Sequence, residues 1–157
     1  MRVARKEILD KAAVEAILSA CQVGRLGTIG PAGRPMVKPL NFVYYKGTIY
    51  FHSAREGEKI DDIGRDNRVC FEVDLPVSYV KGTMEDPCKA DYLYQSVICS
   101  GKAFIVEEQG EKRKALTALM EKYQPEGGYG QFLDSKLALT AVVRIDVETK
   151  TGKQDLG

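Results

Sequence analysis

Residues 34–74 alternate between apolar runs and turn-forming residues in an order that strongly limits the possible folds. Two apolar runs, RPMVKPLNFVYY and TIYFHSA, flank the pair Lys46-Gly47. Because glycine tolerates the positive φ that a two-residue turn demands, this pair predicts a β-hairpin. The second run leads into a short helix, predicted over residues 58–64. A further strand is predicted over residues 68–74, where apolar and polar residues alternate.

Two longer helical patterns flank the predicted strands. Asp10 precedes apolar residues spaced i, i+3, i+4 and i+7, which predicts an amphipathic helix with Asp10 as its N-cap. A second helix is predicted over residues 110–123, with one apolar side. Its basic residues Lys112, Arg113 and Lys114 face away from that side, so we expect them on a solvated surface.

The remaining patterns are mostly those of strands. Residues 75–90 contain two prolines and a glycine, which predicts a connector with at most one short strand. The other predicted strands cover residues 23–29, 94–106 and 137–147, and a bend is expected at Gly101. The fold class is therefore α+β, with about six mostly antiparallel strands. We expect a closed or split, Greek-key-like β-barrel with flanking helices.

Length and charge exclude several kinds of protein. The 157 residues fit a single domain, in which residues 1–9 and 149–157 are expected to form flexible tails or dimer arms. The net charge is only +1, so the chain as a whole has no strong positive potential to attract nucleic acid or an anionic membrane. Neither the apolar core of a signal peptide nor a membrane-spanning run of roughly 18 apolar residues is present, which predicts a cytoplasmic protein.

The cysteines show no metal-binding pattern. Cys21, Cys70, Cys88 and Cys99 lack CxxC spacing, and His52 is the only histidine, so no metal site is expected. Cys70 and Cys99 lie in apolar strand patterns, where a free thiol behaves as a small hydrophobe. Cys88 lies in a polar loop and is expected to be exposed. We expect all four thiols to be reduced.

The junction between the second run and the short helix has the features of an anion site. A strand end with Ser53, the glycine Gly57, a helix N-terminus and Lys59 follow one another. A cation in the first helical turn works against the helix dipole, costing some tenths of a kcal/mol, and a bound phosphate would reverse that cost. The alternative is that Lys59 is an ordinary exposed lysine and Ser53 an ordinary polar strand residue.

The segment PLNFVYYKGTIYFHSAREGEKIDDIGRDNRVCFEVD resembles the FMN-binding split-barrel superfamily, the pyridoxamine 5′-phosphate oxidase-like proteins. Within it, the chain is most similar to the nitroimidazole-resistance-type flavoproteins. The resemblance extends to CQVGRLGTIGPAGRP, YQSVICSGKAFIVEEQGEKRKALTALMEKYQPEG and LTAVVRIDVETKTGK, and so covers roughly residues 6–153. It implies a homodimer with FMN at the subunit interface.

The resemblance also implies which residues hold the cofactor. Lys59 matches a phosphate-binding lysine, whereas Glu58 stands where the oxidase motif has an arginine, so Arg55 or Lys38 would have to supply the missing charge. Residues 36–41 would run beside the flavin ring, with Pro39 marking a strand edge or bulge. The implied cofactor-binding residues are Met36, Val37, Lys38, Pro39, Asn41, His52, Ser53, Ala54, Arg55, Gly57, Lys59 and Ser96.

Two of these residues have more specific implied roles. Ser96 matches a polar residue that reaches the cofactor from the second subunit, and residues 94–97 would then line the dimer interface. His52 matches a histidine close to the flavin ring and is the candidate catalytic residue. Its alternative role is purely structural, as for most lone histidines.

The chain has no Ser–His–Asp set, paired helical carboxylates or zinc spacing, so any difficult chemistry must come from a cofactor. The resemblance implies an oxidoreductase that passes electrons from a reduced nicotinamide to a small acceptor, for example a nitroaromatic such as a 5-nitroimidazole. One alternative is a non-enzymatic binder of FMN, haem or the deazaflavin F420, with His52 as a haem ligand. The other is a barrel without a flavin that binds nucleic acid or another ligand. The near-neutral net charge argues against nucleic acid.

Overall fold

The computed structural model describes residues 4–157, which form eight strands, four helices and three single turns of 3-10 helix. The strands are β1 (Glu7–Ile8), β2 (Gly24–Ile29), β3 (Pro35–Leu40), β4 (Val43–Tyr45), β5 (Thr48–Ala54), β6 (Arg68–Val80), β7 (Asp91–Ile105) and β8 (Thr140–Asp155). The helices are α1 (Lys11–Ala20), α2 (Glu58–Arg65), α3 (Gln109–Tyr123) and α4 (Asp134–Leu139). The 3-10 turns are Ala4–Lys6, Pro31–Gly33 and Pro87–Lys89.

The strands form one antiparallel sheet in the order β3-β2-β6-β7-β8-β5-β4, and β1 pairs with the far end of β8. Among the described residues β3 and β4 lie at opposite ends of this order and do not pair, so the sheet is open. This confirms the predicted α+β split barrel, although the structure has eight strands rather than about six. No helix within residues 4–157 is both long and apolar enough to cross a membrane.

Two apolar clusters pack on opposite faces of β5. Ile49 and Phe51 belong to the larger cluster, inside the curved sheet and under α1 and α2. There, Phe42 and Phe71 meet edge to face, with ring centroids 4.8 Å apart. Tyr50 packs instead on the smaller cluster, beneath α3 and α4. Because side chains alternate along a strand, β5 is the wall between the two clusters.

The predicted hairpin is confirmed, but the run before it is not one strand. Lys46 and Gly47 have φ of 51° and 87°, as a two-residue hairpin turn requires. The preceding run divides into β3, which pairs with β2, and β4, which pairs with β5. At the break, the backbone N–H of Phe42 donates to the Tyr123 hydroxyl (3.0 Å) instead of to a strand.

Three strands are longer than the sequence predicts. β6 continues to Val80 and β7 begins at Asp91, and their extensions pair with each other beyond a register shift between Pro76 and Ser78. The prediction of a connector over residues 75–90 was therefore wrong for much of that segment. β8 continues to Asp155, held by β7 on one side and by β1 on the other. Hydrogen bonding to two neighbouring strands stabilises this part of β8 although its side chains are mostly polar.

The predicted tails consequently belong largely to the sheet. Residues 149–155 lie in β8, and Glu7 and Ile8 form β1. Residues 1–3 of the predicted N-terminal tail lie outside the described residues. That the chain is a single domain stays a prediction.

The bend at Gly101 is confirmed. The β7–β8 register shifts between Ser100 and Gly101, and a Cβ at Gly101 would lie 2.1 Å from the carbonyl oxygen of Asp146. Two expectations near α3 were wrong. Residues 137–139 belong to the short helix α4 rather than to a strand, and Lys112 is buried rather than solvated.

Candidate functional site

The end of β5 leads directly to an open helix N-terminus. Gly57, with φ of 122°, turns the chain into α2, which begins at Glu58. Within the part of the chain that the structure describes, no side chain caps this end of α2. The Gly57 carbonyl accepts from the N–H groups of Ile60 and Asp61. The first N–H groups and the positive end of the helix dipole are therefore available to an anion.

Ser53 and Lys59 meet beside this helix end. The ammonium of Lys59 donates to the Ser53 hydroxyl at 2.9 Å. Ser53 is only 8% exposed, and Lys59 is half-buried. Lys59 makes no ion pair with an acidic side chain among residues 4–157. The structure thus brings together the hydroxyl, the cation and the helix start that the sequence predicted as a phosphate site.

Lys38 approaches α2 from β3 but is already held by carboxylates. Its ammonium lies 3.1 Å from Asp62, 3.3 Å from Glu58 and 3.2 Å from the Thr28 hydroxyl. Asp62 is fully buried and also pairs with Arg65 at 3.2 Å. The positive charge of Lys38 is therefore shared between two acidic groups.

Asp62 is stable as a carboxylate in this position. Burial acts to raise its pKa, but hydrogen bonds from Thr28, Lys38 and Arg65 outweigh burial and hold the pKa below the ordinary value. Asp62 therefore ties α2 to β2 and β3.

Arg55 turns toward a different part of the molecule. Its guanidinium donates to the carbonyl of Ala138 in α4, at 3.0 Å. Of the two residues proposed to replace the missing arginine, Lys38 contacts the first turn of α2 through Glu58, whereas Arg55 contacts α4.

A groove lies on the outer face of the sheet, where β2 runs between β3 and β6. In the described sheet β3 pairs only with β2, so backbone groups on its other edge are free, as expected from Pro39. Val37 is 66% exposed. The groove has a volume of about 520 Å³ and a mostly apolar lining, within the usual range of ligand pockets. Met36 and Val37 line it, as do Thr28, Arg68, Cys70 and Glu72.

Sequence reasoning missed the contribution of β6 to this groove. The alternation of β6 places Cys70 and Glu72 on the face opposite to Phe71, which was a usable signal. Cys70 is exposed, so the expectation that it packs as a small hydrophobe was wrong, whereas Cys99 is buried as expected. Cys88 is exposed as expected, and all four cysteines are free.

His52 lies on the other face of β5 from Ser53. The strand stays regular to Ala54, which pairs with Thr140, so consecutive side chains point in opposite directions. His52 borders a second, mainly apolar pocket of about 220 Å³ between α3 and α4. Leu116, Leu119, Phe132, Lys136 and Leu137 share the lining of this pocket. Within one chain, the candidate catalytic residue and the Ser53–Lys59 pair are thus separated by the strand.

Asn41 and Ser96 are not part of either cluster. The Asn41 amide donates to the carbonyl of Gln22 at 3.2 Å. Ser96 lies in β7, opposite Asp74 and Lys153. β7 pairs on both sides and Val97 is fully buried, so residues 94–97 lie inside the sheet, and that they line a dimer interface stays a prediction. Whether Ser96 reaches a cofactor in a second subunit stays a prediction.

A family model described as pyridoxamine 5′-phosphate oxidase matches residues 10–154. A structure from Bacteroides thetaiotaomicron, described as that of a candidate 5-nitroimidazole antibiotic resistance protein, is 31% identical. That alignment covers 94% of this chain and 86% of the other, with a TM-score of 0.83. Comparison with curated protein sequences gave no match.

Two more distant structures share the fold. The flavocytochrome Anf3 from Azotobacter vinelandii is 19% identical over all of this chain and 72% of its own, with a TM-score of 0.86. A protein from Mycobacterium smegmatis, described as binding FAD and heme, is 14% identical over 97% and 74%, also with a TM-score of 0.86.

Proposed function

Because the chain belongs to the pyridoxamine 5′-phosphate oxidase family, we propose that it is an FMN-binding oxidoreductase. It would pass electrons from a reduced nicotinamide to a small acceptor, such as a 5-nitroimidazole. The observation that carries this proposal is the Ser53–Lys59 pair beside the open N-terminus of α2.

The chemistry of this pair suits a phosphate monoester. Lys59 offers a charge that no acidic side chain within residues 4–157 neutralises, and a charge-assisted hydrogen bond to phosphate is about twice as strong as a neutral one. Ser53 adds a hydroxyl, and the helix start adds backbone N–H groups. Gly57 carries no side chain that could block the approach, and nothing lies within 4 Å of its Cβ position.

The groove along β3 suits the flavin ring. Its apolar lining from Met36 and Val37 can pack on a planar heterocycle, and a ring that extends past Val37 would reach backbone donors and acceptors on the unpaired edge of β3. Lys38 lies on the opposite face of β3 from Val37, toward α2, so it is placed to contact the phosphate end of the ligand. The 31% identity to the Bacteroides protein supports a nitroimidazole as the acceptor.

When bound, FMN supplies electron transfer, and the protein residues have to supply positioning and protons. His52 is the proposed proton donor to the acceptor, through an imidazole nitrogen. His52 and Ser53 face opposite sides of β5. For His52 to donate a proton, the acceptor must therefore bind on the side of β5 that faces α3 and α4.

A homodimer with FMN at its interface belongs to the same proposal. The extensions of β6 and β7 expose large apolar side chains: Val77, Tyr79 and Tyr92 are 49%, 59% and 53% exposed. Exposed apolar patches commonly mark interfaces. We expect a two-fold dimer that buries more than ~1,000 Å² and is seen as such by sedimentation. A cytoplasmic location and the identity of the nicotinamide donor stay predictions.

The absorption spectrum of the purified protein tests the proposal. Flavin bands near ~370 and ~450 nm are expected, followed by bleaching when NADH or NADPH is added without oxygen. A Soret band near ~400 nm would favour the haem-binding alternative. A colourless protein that does not bind added FMN at micromolar concentration would contradict the proposal.

A further inference from the structure

Lys112 is a buried cation that the proposed flavin chemistry does not use. It lies in the first turn of α3 and is only 5% exposed. Its ammonium donates to the carbonyl of Leu137 in α4. No carboxylate of residues 4–157 forms an ion pair with it. Burial of a charge without an opposite charge beside it is strongly unfavourable.

A second cation lies on the same cavity. Arg55 and Lys112 both line a space of about 220 Å³ between the end of β5, α3 and α4. Burial, and after it the charge of Arg55, lower the pKa of Lys112, while Glu107 acts in the opposite direction. Two positive groups therefore face one cavity, and among residues 4–157 Glu107 is the only acidic residue that lines it.

Capping of α4 explains only part of this arrangement. Arg55 and Lys112 donate to the carbonyls of Ala138 and Leu137, and a cation near a helix C-terminus is stabilised by the helix dipole. A helix of six residues has little dipole to stabilise two cations, and their mutual repulsion persists. The N-terminus of α3 offers no further help, because Glu108 caps it by accepting from Gly110 and Glu111.

We propose that the cavity between Arg55 and Lys112 binds a small oxyanion, the carboxylate or phosphate group of a ligand. The planar guanidinium can hold two oxygens of one group, and the ammonium supplies a compact charge. Gln109 adds an amide donor at the rim. The cavity is large enough for an oxyanion with a few waters. Neither Ser53 nor Lys59 lines this cavity.

Titration of the protein with inorganic phosphate, and separately with acetate, tests the site at constant ionic strength. Backbone amide signals in nuclear magnetic resonance spectra report where each anion binds. For at least one anion we expect saturable shifts at Gln109, Lys112 and Thr140, with a dissociation constant of about 1 mM or tighter. The anion that binds tells a phosphate ligand from a carboxylate ligand. Shifts at Glu58 and Lys59 would report the α2 site separately.

Four variants complete the experiment. Arg55→Gln and Lys112→Met should each weaken binding roughly tenfold or more, whereas Lys114→Met, an exposed lysine on the same helix, should leave it unchanged. Arg55 is exposed, so its variant stays informative if Lys112→Met does not fold. Glu107→Gln should strengthen binding. The absence of saturable shifts at this cavity, or binding that Arg55→Gln does not weaken, overturns the proposal.

Discussion

The two faces of β5 differ in chemistry although they belong to one strand. On one face Ser53 joins Lys59 at the open start of α2, next to the charged cluster of Lys38 and Asp62. On the other face His52 borders an apolar pocket beneath α3 and α4. The Ser53 face can hold a charged group of a ligand. The His52 face can hold an apolar group beside the imidazole ring.

This difference shows how binding and proton transfer can be divided. Charges on the Ser53 face are fixed by a buried carboxylate, so that face is suited to orienting a ligand. The pocket beside His52 has a mainly apolar lining, so it is suited to an uncharged acceptor. Changes on one face should therefore affect binding, and changes on the other should affect turnover.

The largest effect is expected from Asp62→Asn, which removes the buried charge that holds Lys38 and Arg65. Loss of one member of a buried ion pair should lower the free energy of unfolding by about 3 kcal/mol. Urea unfolding at neutral pH measures this change. Asp61→Asn alters an exposed neighbour and should change stability by about 0.5 kcal/mol or less. If both variants changed the free energy of unfolding equally, the ion pairs of Asp62 with Lys38 and Arg65 would not stabilise the fold around α2.

The same carboxylate predicts a pH dependence. The pKa of Asp62 is lower in the folded protein than its ordinary value of 3.8, so the unfolded chain binds its proton more readily. The stabilisation by Asp62 is thus complete above the unfolded value and is lost as pH falls through the folded pKa. In this acidic range the difference in free energy of unfolding between the wild type and Asp62→Asn should therefore disappear.

His52→Ala should separate the two faces in a functional assay. We expect a folded, yellow protein with unchanged FMN affinity, whose reduction of a nitroaromatic acceptor falls by about 10²-fold. Reduction of the flavin by the nicotinamide should change little. If the variant loses FMN, His52 is a binding residue. Unchanged turnover would leave it with a structural role only.

Glu58→Gln should have the smallest effect, and it should strengthen FMN binding rather than impair the protein. Glu58 pairs with Lys38 at 3.3 Å and so competes with a ligand phosphate for that cation. Without this competition FMN should bind about two- to fivefold more tightly, as expected for a partly exposed ion pair. Glu56→Gln, in the preceding loop, is the matched control and should leave affinity unchanged. Weaker binding in Glu58→Gln would show that Lys38 does not meet the phosphate.

Features set by local backbone chemistry were predictable from the sequence. The Lys46-Gly47 turn, the Asp10 cap and the Gly101 bend each depend on one residue type at one position. The juxtaposition of Ser53 with Lys59 followed from a strand, a glycine and a helix in succession.

Features that depend on distant partners were not predictable. The extension of β8 to Asp155 requires β1 and β7 beside it, which its polar composition does not reveal. Lys112 is buried because α4 covers it, and α4 was itself missed. Arg55 and Lys38 looked equivalent as replacements for one arginine. Only the positions of α4 and Asp62 distinguish them.

The central claim is that the Ser53–Lys59 pair at α2 binds the phosphate of FMN. Dissociation constants of FMN and riboflavin for the wild type and Lys59→Met test it most directly, because riboflavin lacks only the phosphate. We predict that the variant binds FMN roughly ten- to a hundredfold more weakly, from loss of one charge-assisted bond, and binds riboflavin almost as well as the wild type does. Lys46→Met, on the distant hairpin turn, should change neither constant. Equal losses for FMN and riboflavin, or no loss for FMN, would contradict the claim.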